Sequence, residues 1–292
     1  MKLDKIITLA NKSTELRFLA MERSLRSTGC TLPLWVIPYD DNKFDLPEGA
    51  TWWEVPEIIN WLNGFNNKNV YKKYQCLITA NYQFVDADVV FLKNPETALF
   101  NHTGFITSCG HWHNPSQTFT TESLSYLESK STTWQKNIFN TGQFACDRPL
   151  YENFDVLKAT ILRSDVINTC LDFISHEQPG INYLVNLCNV PITNLTLPPV
   201  NMQSTWAGDY KNDQFNKYWL DDATKPYLIH WAGCKMDINR PIDQLFLQNL
   251  TQQERIDWDN QLEQSVKNSK KLYKRLRVYL SSCKLALKQI EF

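Results

Sequence analysis

Glycine is scarce: nine residues in 292, less than half the ~7% of an average chain. Neither G-x-G-x-x-G nor G-x-x-x-x-G-K-[S/T] occurs, which sets aside a P-loop nucleotidase and an ordinary dinucleotide-binding domain. No stretch approaches the ~20 apolar residues needed to cross a bilayer. The opening run, "MKLDKIITLAN", is too short for a signal peptide, and Asp4 interrupts the basic region such a peptide carries. The eight cysteines include no C-x-x-C, and several sit in apolar stretches, as expected of reduced, buried thiols in a cytoplasmic protein. Net charge is also nearly lacking, at −1, but only in sum. Between Lys267 and Lys288 stand eight basic residues and no acidic one, which leaves −9 on the rest of the chain. An acidic body with a basic tail argues against nucleic acid as a partner.

What is present is enough for a large core, with 43% hydrophobic and 13% aromatic residues. The first part alternates in the α/β manner. "KIITLA" reads as a strand buried on both faces. A helix follows, with Ser13 or Thr14 as its cap and Gly29 just beyond its end. "TLPLWVIPYDD", "YQFVDADVVFL" and "GFITSCG" read as further strands, with "NVYKKYQCLITAN" helical between two of them. Later come a helix over about 157–174, a polar cluster "SHEQPGINYL", the strand "PYLIHWAG", and helical sequence from Gln253 onward. The expected class is α/β, with a mixed sheet and ligands at the carboxyl ends of its strands.

Two carboxylates, Asp86 and Asp88, interrupt the third of these strands. Strict alternation would put both on one side of an extended chain. Their repulsion and partial burial cost several kcal/mol unless answered by protonation, by a basic side chain or by a divalent cation. The spacing suits Mg²⁺ or Mn²⁺ shared with a phosphate, while a strand that ends in a polar turn also accounts for it. His230 closes an apolar strand ahead of Gly233 and Lys235, and a neutral imidazole suits the place of a third ligand. "FNTGQFACDR" carries a turn signature, with Gly142 open to a close approach. Cys109, His111 and His113 alternate and raise a weaker zinc reading, short of a fourth ligand; Trp112 among them suits stacking on an acceptor.

Taken in order, F-V-D-A-D-V-V, N-T-G-Q-F-A-C-D-R, H-E-Q-P-x-x-N and H-W-A-G-x-K resemble nucleotide-sugar glycosyltransferases of GT-A fold. The likeness is to the retaining glycogenin and galactosyltransferase type, and it runs from about Ile6 to Lys235. It implies a Rossmann-like catalytic domain over 1–252 and a helical basic extension over 253–292. It implies Asp86, Asp88 and His230 as ligands of Mn²⁺ or Mg²⁺, with Asp86 also near the ribose. Thr8, Ala10, Asn11, Tyr39 and Asp40 are implied at the nucleoside, Lys72 or Lys73 at the pyrophosphate, and Gly233 with Lys235 at the leaving phosphate. Asn140, Gly142, Glu177 and Gln178 would face the donor sugar and the acceptor. The implied donor is a UDP-sugar and the implied acceptor a carbohydrate or a lipid-linked glycan. A non-catalytic nucleotide- or carbohydrate-binding protein on the same fold, and a metal-dependent phosphohydrolase, are the competing readings. In the tail, Leu272, Leu276, Tyr279, Leu280, Cys283, Leu287 and Ile290 share one side of a helical wheel. That pattern suits either packing on the acidic body or contact with the inner, anionic membrane face.

Overall fold

The structure is a computed structural model, and it describes residues 1–65, 68–117, 119, 121–130, 134–171, 177–234, 236 and 240–268. The chain divides into two compact units, Met1–Asn249 and Leu250–Phe292. Among the described residues, nine strands in the first unit are β1 (Lys5–Ala10), β2 (Leu34–Pro38), β3 (Ala50–Trp52), β4 (Tyr82–Asp86), β5 (Val89–Phe91), β6 (Phe105–Thr107), β7 (Gln143–Cys146), β8 (Ile192–Asn194) and β9 (Leu228–His230). Seven form one mixed sheet in the order β3-β2-β1-β4-β7-β6-β8, and β5 pairs with β9 in a separate ribbon. Helices Glu15–Ser27, Pro56–Leu62, Phe154–Ile161 and Gln178–Leu187 belong to the same unit.

Apolar runs without alternation explain why the central strands are covered on both faces. Along β4, Tyr82 and Phe84 enter one apolar cluster and Val85 the other. Along β7, Phe144 and Cys146 part from Ala145 in the same way, as Phe105 parts from Ile106 along β6. Phe144 stacks on Phe84 at 5.1 Å and on Phe105 at 5.4 Å between ring centres, which ties three adjacent strands through one face.

Direction in this sheet decides where a ligand can bind. β2, β1 and β4 are parallel, and β7 runs antiparallel to both β4 and β6. The carboxyl ends of β1, β2, β4 and β6 therefore share one edge. Leu9 stands opposite Asp86 there.

One expectation about local structure is refined and two need correction. The segment expected to be helical before β4 is helical, in the tighter 3₁₀ form, over Lys68–Ile78. The helix expected over 157–174 is broken: Phe154–Ile161 and Ile167–Cys170 are separate, with Arg163 and Asp165 ion-paired at 2.9 Å in the connection, and 172–174 lie outside the described residues. Asp88 is not in a strand, because β4 ends at Asp86 and Ala87-Asp88 form the turn into β5.

The second unit is helical over 252–268. Lys267 is paired there with Glu263 at 3.2 Å; the rest of the basic segment lies outside the described residues. No helix among the described residues is long and apolar enough to cross a membrane.

Candidate active site

Asp86 and Asp88 meet through a turn and a second chain segment. β5 pairs antiparallel with β9, Val89 opposite His230, and the amide of Trp231 donates to the Asp88 carbonyl at 3.0 Å. This sets His230 Nε2 at 3.2 Å from Asp88 Oδ1 and 3.8 Å from Asp86 Oδ2. Among the described residues, these three form the one group whose ligand atoms, all within 4.8 Å of one another, are placed to hold a metal ion. His230 Nε2 is buried and, despite its nearness to Asp88, makes no hydrogen bond of sound geometry. A buried ring nitrogen that faces two carboxylates without a well-formed hydrogen bond fits a cation site whose ligands are set in advance. The imidazole, two carboxylate oxygens and the remaining exposure of Asp86 (29% of its side chain) fit a hard divalent cation with room for a further oxygen ligand.

Lys73 links this group to the rest of the site. Its buried Nζ lies 3.0 Å from Asp86 Oδ1 and 2.6 Å from Glu177 Oε1. Glu177 also accepts the Thr141 hydroxyl at 2.9 Å, and the Thr141 amide donates to Gln178 Oε1 at 3.2 Å. The Asn140 side chain accepts the Gly142 amide, and the Gly142 carbonyl accepts the Asp86 amide at 2.7 Å. A Cβ at Gly142 would stand 2.1 Å from His230 Cε1 and 2.7 Å from Asp86 Oδ2, so only glycine lets this backbone reach the ligand group.

The titrating groups answer one another. Burial opposes the charged form of Lys73, but Asp86 and Glu177 outweigh it and its pKa is raised. Burial would raise the Glu177 pKa, yet Lys73 holds it below the ordinary value. Asp86 and Asp88 part company: burial keeps Asp86 raised although Lys73 opposes it, whereas on Asp88 the same burial is overcome by His230 and Arg17. Burial works against charge on His230, and the two carboxylates carry its pKa above the ordinary histidine value.

Not every residue singled out in the sequence is part of this cluster. Lys73 is; Lys72 is turned to the Pro38 carbonyl at 2.7 Å and to Glu54 at 3.1 Å. Asn11 donates to Asp40 Oδ2 at 2.7 Å, and the Tyr39 amide donates to the Ala10 carbonyl, so the ends of β1 and β2 are joined at the same edge. Thr8 and Ala10 are buried, leaving Tyr39 and Asp40 the more open pair. Gly233 has open space around its Cα; Lys235 lies outside the described residues. Cys109, His111 and His113 form no ligand group: Cys109 Sγ accepts the His111 amide, the His111 ring meets Trp206 at 5.2 Å, and burial lowers the His111 pKa. Trp112 packs on one of the two apolar clusters.

Sequence reading passed over Thr141, Thr205 and Trp206. Thr141 stood inside the N-T-G motif between two residues that were named. Thr205 accepts the His230 amide through its carbonyl at 2.7 Å, and its hydroxyl donates to the Ser108 carbonyl at 2.9 Å. Trp206 forms a parallel bridge with His230. Nothing in "MQSTWAGD" marks either residue without the chain path.

No protein-family model and no curated protein matches the chain. Solved structures do. The galactosyltransferase LgtC, in complex with donor and acceptor sugar analogs, aligns with a TM-score of 0.55 at 12% identity, over 86% of this chain and 99% of LgtC. The bifunctional glycosyltransferase WbbM, in its apo form, gives 0.55 at 13% identity over 89% of this chain, which spans 52% of WbbM. The glycosyltransferase GlyE from Streptococcus pneumoniae gives 0.51 at 11% identity, over 92% of this chain and 65% of GlyE. At such identities the likeness establishes the fold: a mixed α/β sheet of the GT-A glycosyltransferase type.

Proposed function

We propose that this chain is a metal-dependent glycosyltransferase that moves a sugar from a nucleotide-diphospho-sugar, a UDP-sugar in this reading, to a carbohydrate or lipid-linked acceptor. The observation that carries it is the convergence of Asp86, Asp88 and His230 Nε2, which makes no well-formed hydrogen bond, at the carboxyl edge of a GT-A sheet. Those three would hold Mn²⁺ or Mg²⁺. When bound, the cation would stabilise the charge that develops on the departing nucleoside diphosphate.

The chain's own residues do the rest. Lys73 fixes the orientation of Asp86 from behind and ties it to Glu177. Tyr39, Asp40 and Asn11 are proposed for the nucleoside, and Gln178 and Asn140, anchored through Thr141 and Gly142, for the donor sugar. Glu177 is a poor general base, since Lys73 and Thr141 both bond its Oε1 and Lys73 holds its pKa below the ordinary value. That commitment supports transfer with retention of configuration.

The test is release of free nucleoside diphosphate from UDP-, GDP- and dTDP-sugars with and without Mn²⁺. The expected result is Mn²⁺-stimulated release from UDP-sugars that stops in excess chelator. Full activity in chelator would remove the metal from the reading, and phosphate release from p-nitrophenyl phosphate instead would move it to a phosphohydrolase. For Lys267–Lys288 we propose contact with an anionic membrane face. Truncation after Val266 should release the protein from phosphatidylserine liposomes, and unchanged binding would end that part.

A further inference from the structure

We infer that Trp206 is a stacking platform for the pyranose ring of the acceptor sugar; this deepens the reading above and rests on it. Its indole is held in place while belonging to neither of the two apolar clusters among the described residues. Nε1 donates to the Ala232 carbonyl at 2.9 Å, two residues beyond the ligand His230. The His111 ring meets it edge-on at 5.2 Å and 78°. A Cβ at Gly208 would stand 2.4 Å from Cζ2 and Cη2, so the six-membered ring is seated directly against that backbone. Despite these restraints the residue is only partly buried. Trp219 and Trp231 also stand outside both clusters but are buried; Trp206, braced by a carbonyl, an imidazole and a glycine, is left partly exposed.

Its place in the site gives it a partner. The backbone of Trp206 bridges His230, and His111 follows β6, whose carboxyl end lies at the same edge as Asp86. The residues assigned to the donor sugar join the cluster by another route, through Lys73 to Glu177. Trp206 joins it through His230, which leaves the acceptor as its ligand. A pyranose presents a face of C–H bonds, and an indole face, negative at its centre, attracts them while the sugar hydroxyls stay at the rim.

Saturation-transfer NMR tests this on the full chain with Mn²⁺ and UDP present, using methyl α- and β-glycosides of glucose, galactose and N-acetylglucosamine as probes. The wild type should transfer magnetisation to the ring protons of at least one glycoside. Trp206→Ala should reduce that signal at least about fivefold, and Trp206→Phe should keep most of it. Gly208→Ala, which keeps the indole but displaces it, should also reduce it. Binding of Mn²⁺ and UDP, read separately by calorimetry, should change less than about twofold in all three. Three results would overturn the platform: no glycoside bound by the wild type, an undiminished signal in Trp206→Ala, or loss of sugar-nucleotide hydrolysis in place of glycoside binding, which would move the indole to the donor sugar. Absence of Mn²⁺–UDP binding in the wild type is a separate failure, that of the glycosyltransferase reading itself.

Discussion

The part of the chain up to Phe91 and the part from Asn140 to Arg240 build the same site by different means. The first contributes parallel strands, β1, β2 and β4, whose apolar runs set their own burial and whose ends place Asn11, Asp40 and Asp86 along one edge. The second contributes short strands and turns, and its site residues are held by bonds to distant segments. His230 depends on Thr205 and β5, Glu177 on Lys73, and Gly142 on Asp86. Regular strands supply an edge, and irregular segments close it into a site. This is the usual division between scaffold and functional loops, with the difference that here the loop-like half carries one of the three candidate metal ligands.

The contacts between the two halves should be the costly ones to break. Lys73→Met leaves the buried Glu177 beside the partly exposed Asp86 without their shared cation, and should lower unfolding stability by about 3 kcal/mol in a denaturant titration. The same pair sets a pH dependence. Burial would raise the Glu177 pKa and Lys73 lowers it below the unfolded value. The pair's stabilisation is therefore fully present above the ordinary glutamate range, about pH 4.3, and is lost as pH falls through the lowered folded value. Glu177→Gln should flatten that acid limb; an unchanged limb would show that the pair does not bind the two halves.

Asp88→Asn comes next. It should cut Mn²⁺-dependent turnover of a UDP-sugar by about 100-fold, or ~2.7 kcal/mol, with little change in thermal unfolding. Combined with His230→Ala, the loss should fall well short of the sum of the two, because both act through one ligand group. Gly142→Ala, at the seam, should weaken Mn²⁺ binding about tenfold by pushing His230 and Asp86 apart, measured by electron paramagnetic resonance of free Mn²⁺. Asn11→Ala lies wholly within the first part. It should cost only about 1 kcal/mol of stability through the lost bond to Asp40. An effect there as large as that of Lys73→Met would erase the contrast between the halves.

Legibility in the sequence followed the same division. β1, β2 and β4 were readable because a strand buried on both faces must be apolar throughout, and "KIITLA" and "YQFVD" are. The pairing of Asp86 with Asp88 was expected from alternation along one strand, and the two do meet, but through a turn that releases Asp88 toward β9. Lys72 and Lys73 could not be told apart by position. Consecutive residues on a tight helical segment point to different sides, and only Lys73 finds Glu177. Trp112, which suits stacking on an acceptor, packs against one apolar cluster and stays partly exposed, as Trp206 does outside both clusters.

Sequence by itself determined the α/β class, the two-sided burial of the first strands, and the residue types able to hold a cation, since each follows from local burial and side-chain chemistry. The tertiary structure alone decided which of those residues meet. His230 reaches Asp88 because β9 pairs with β5, and Lys73 reaches Glu177 because both are buried against the end of β4. Contacts between residues so far apart in the chain carry no local signature, because their energy exists only once the strands between them have packed.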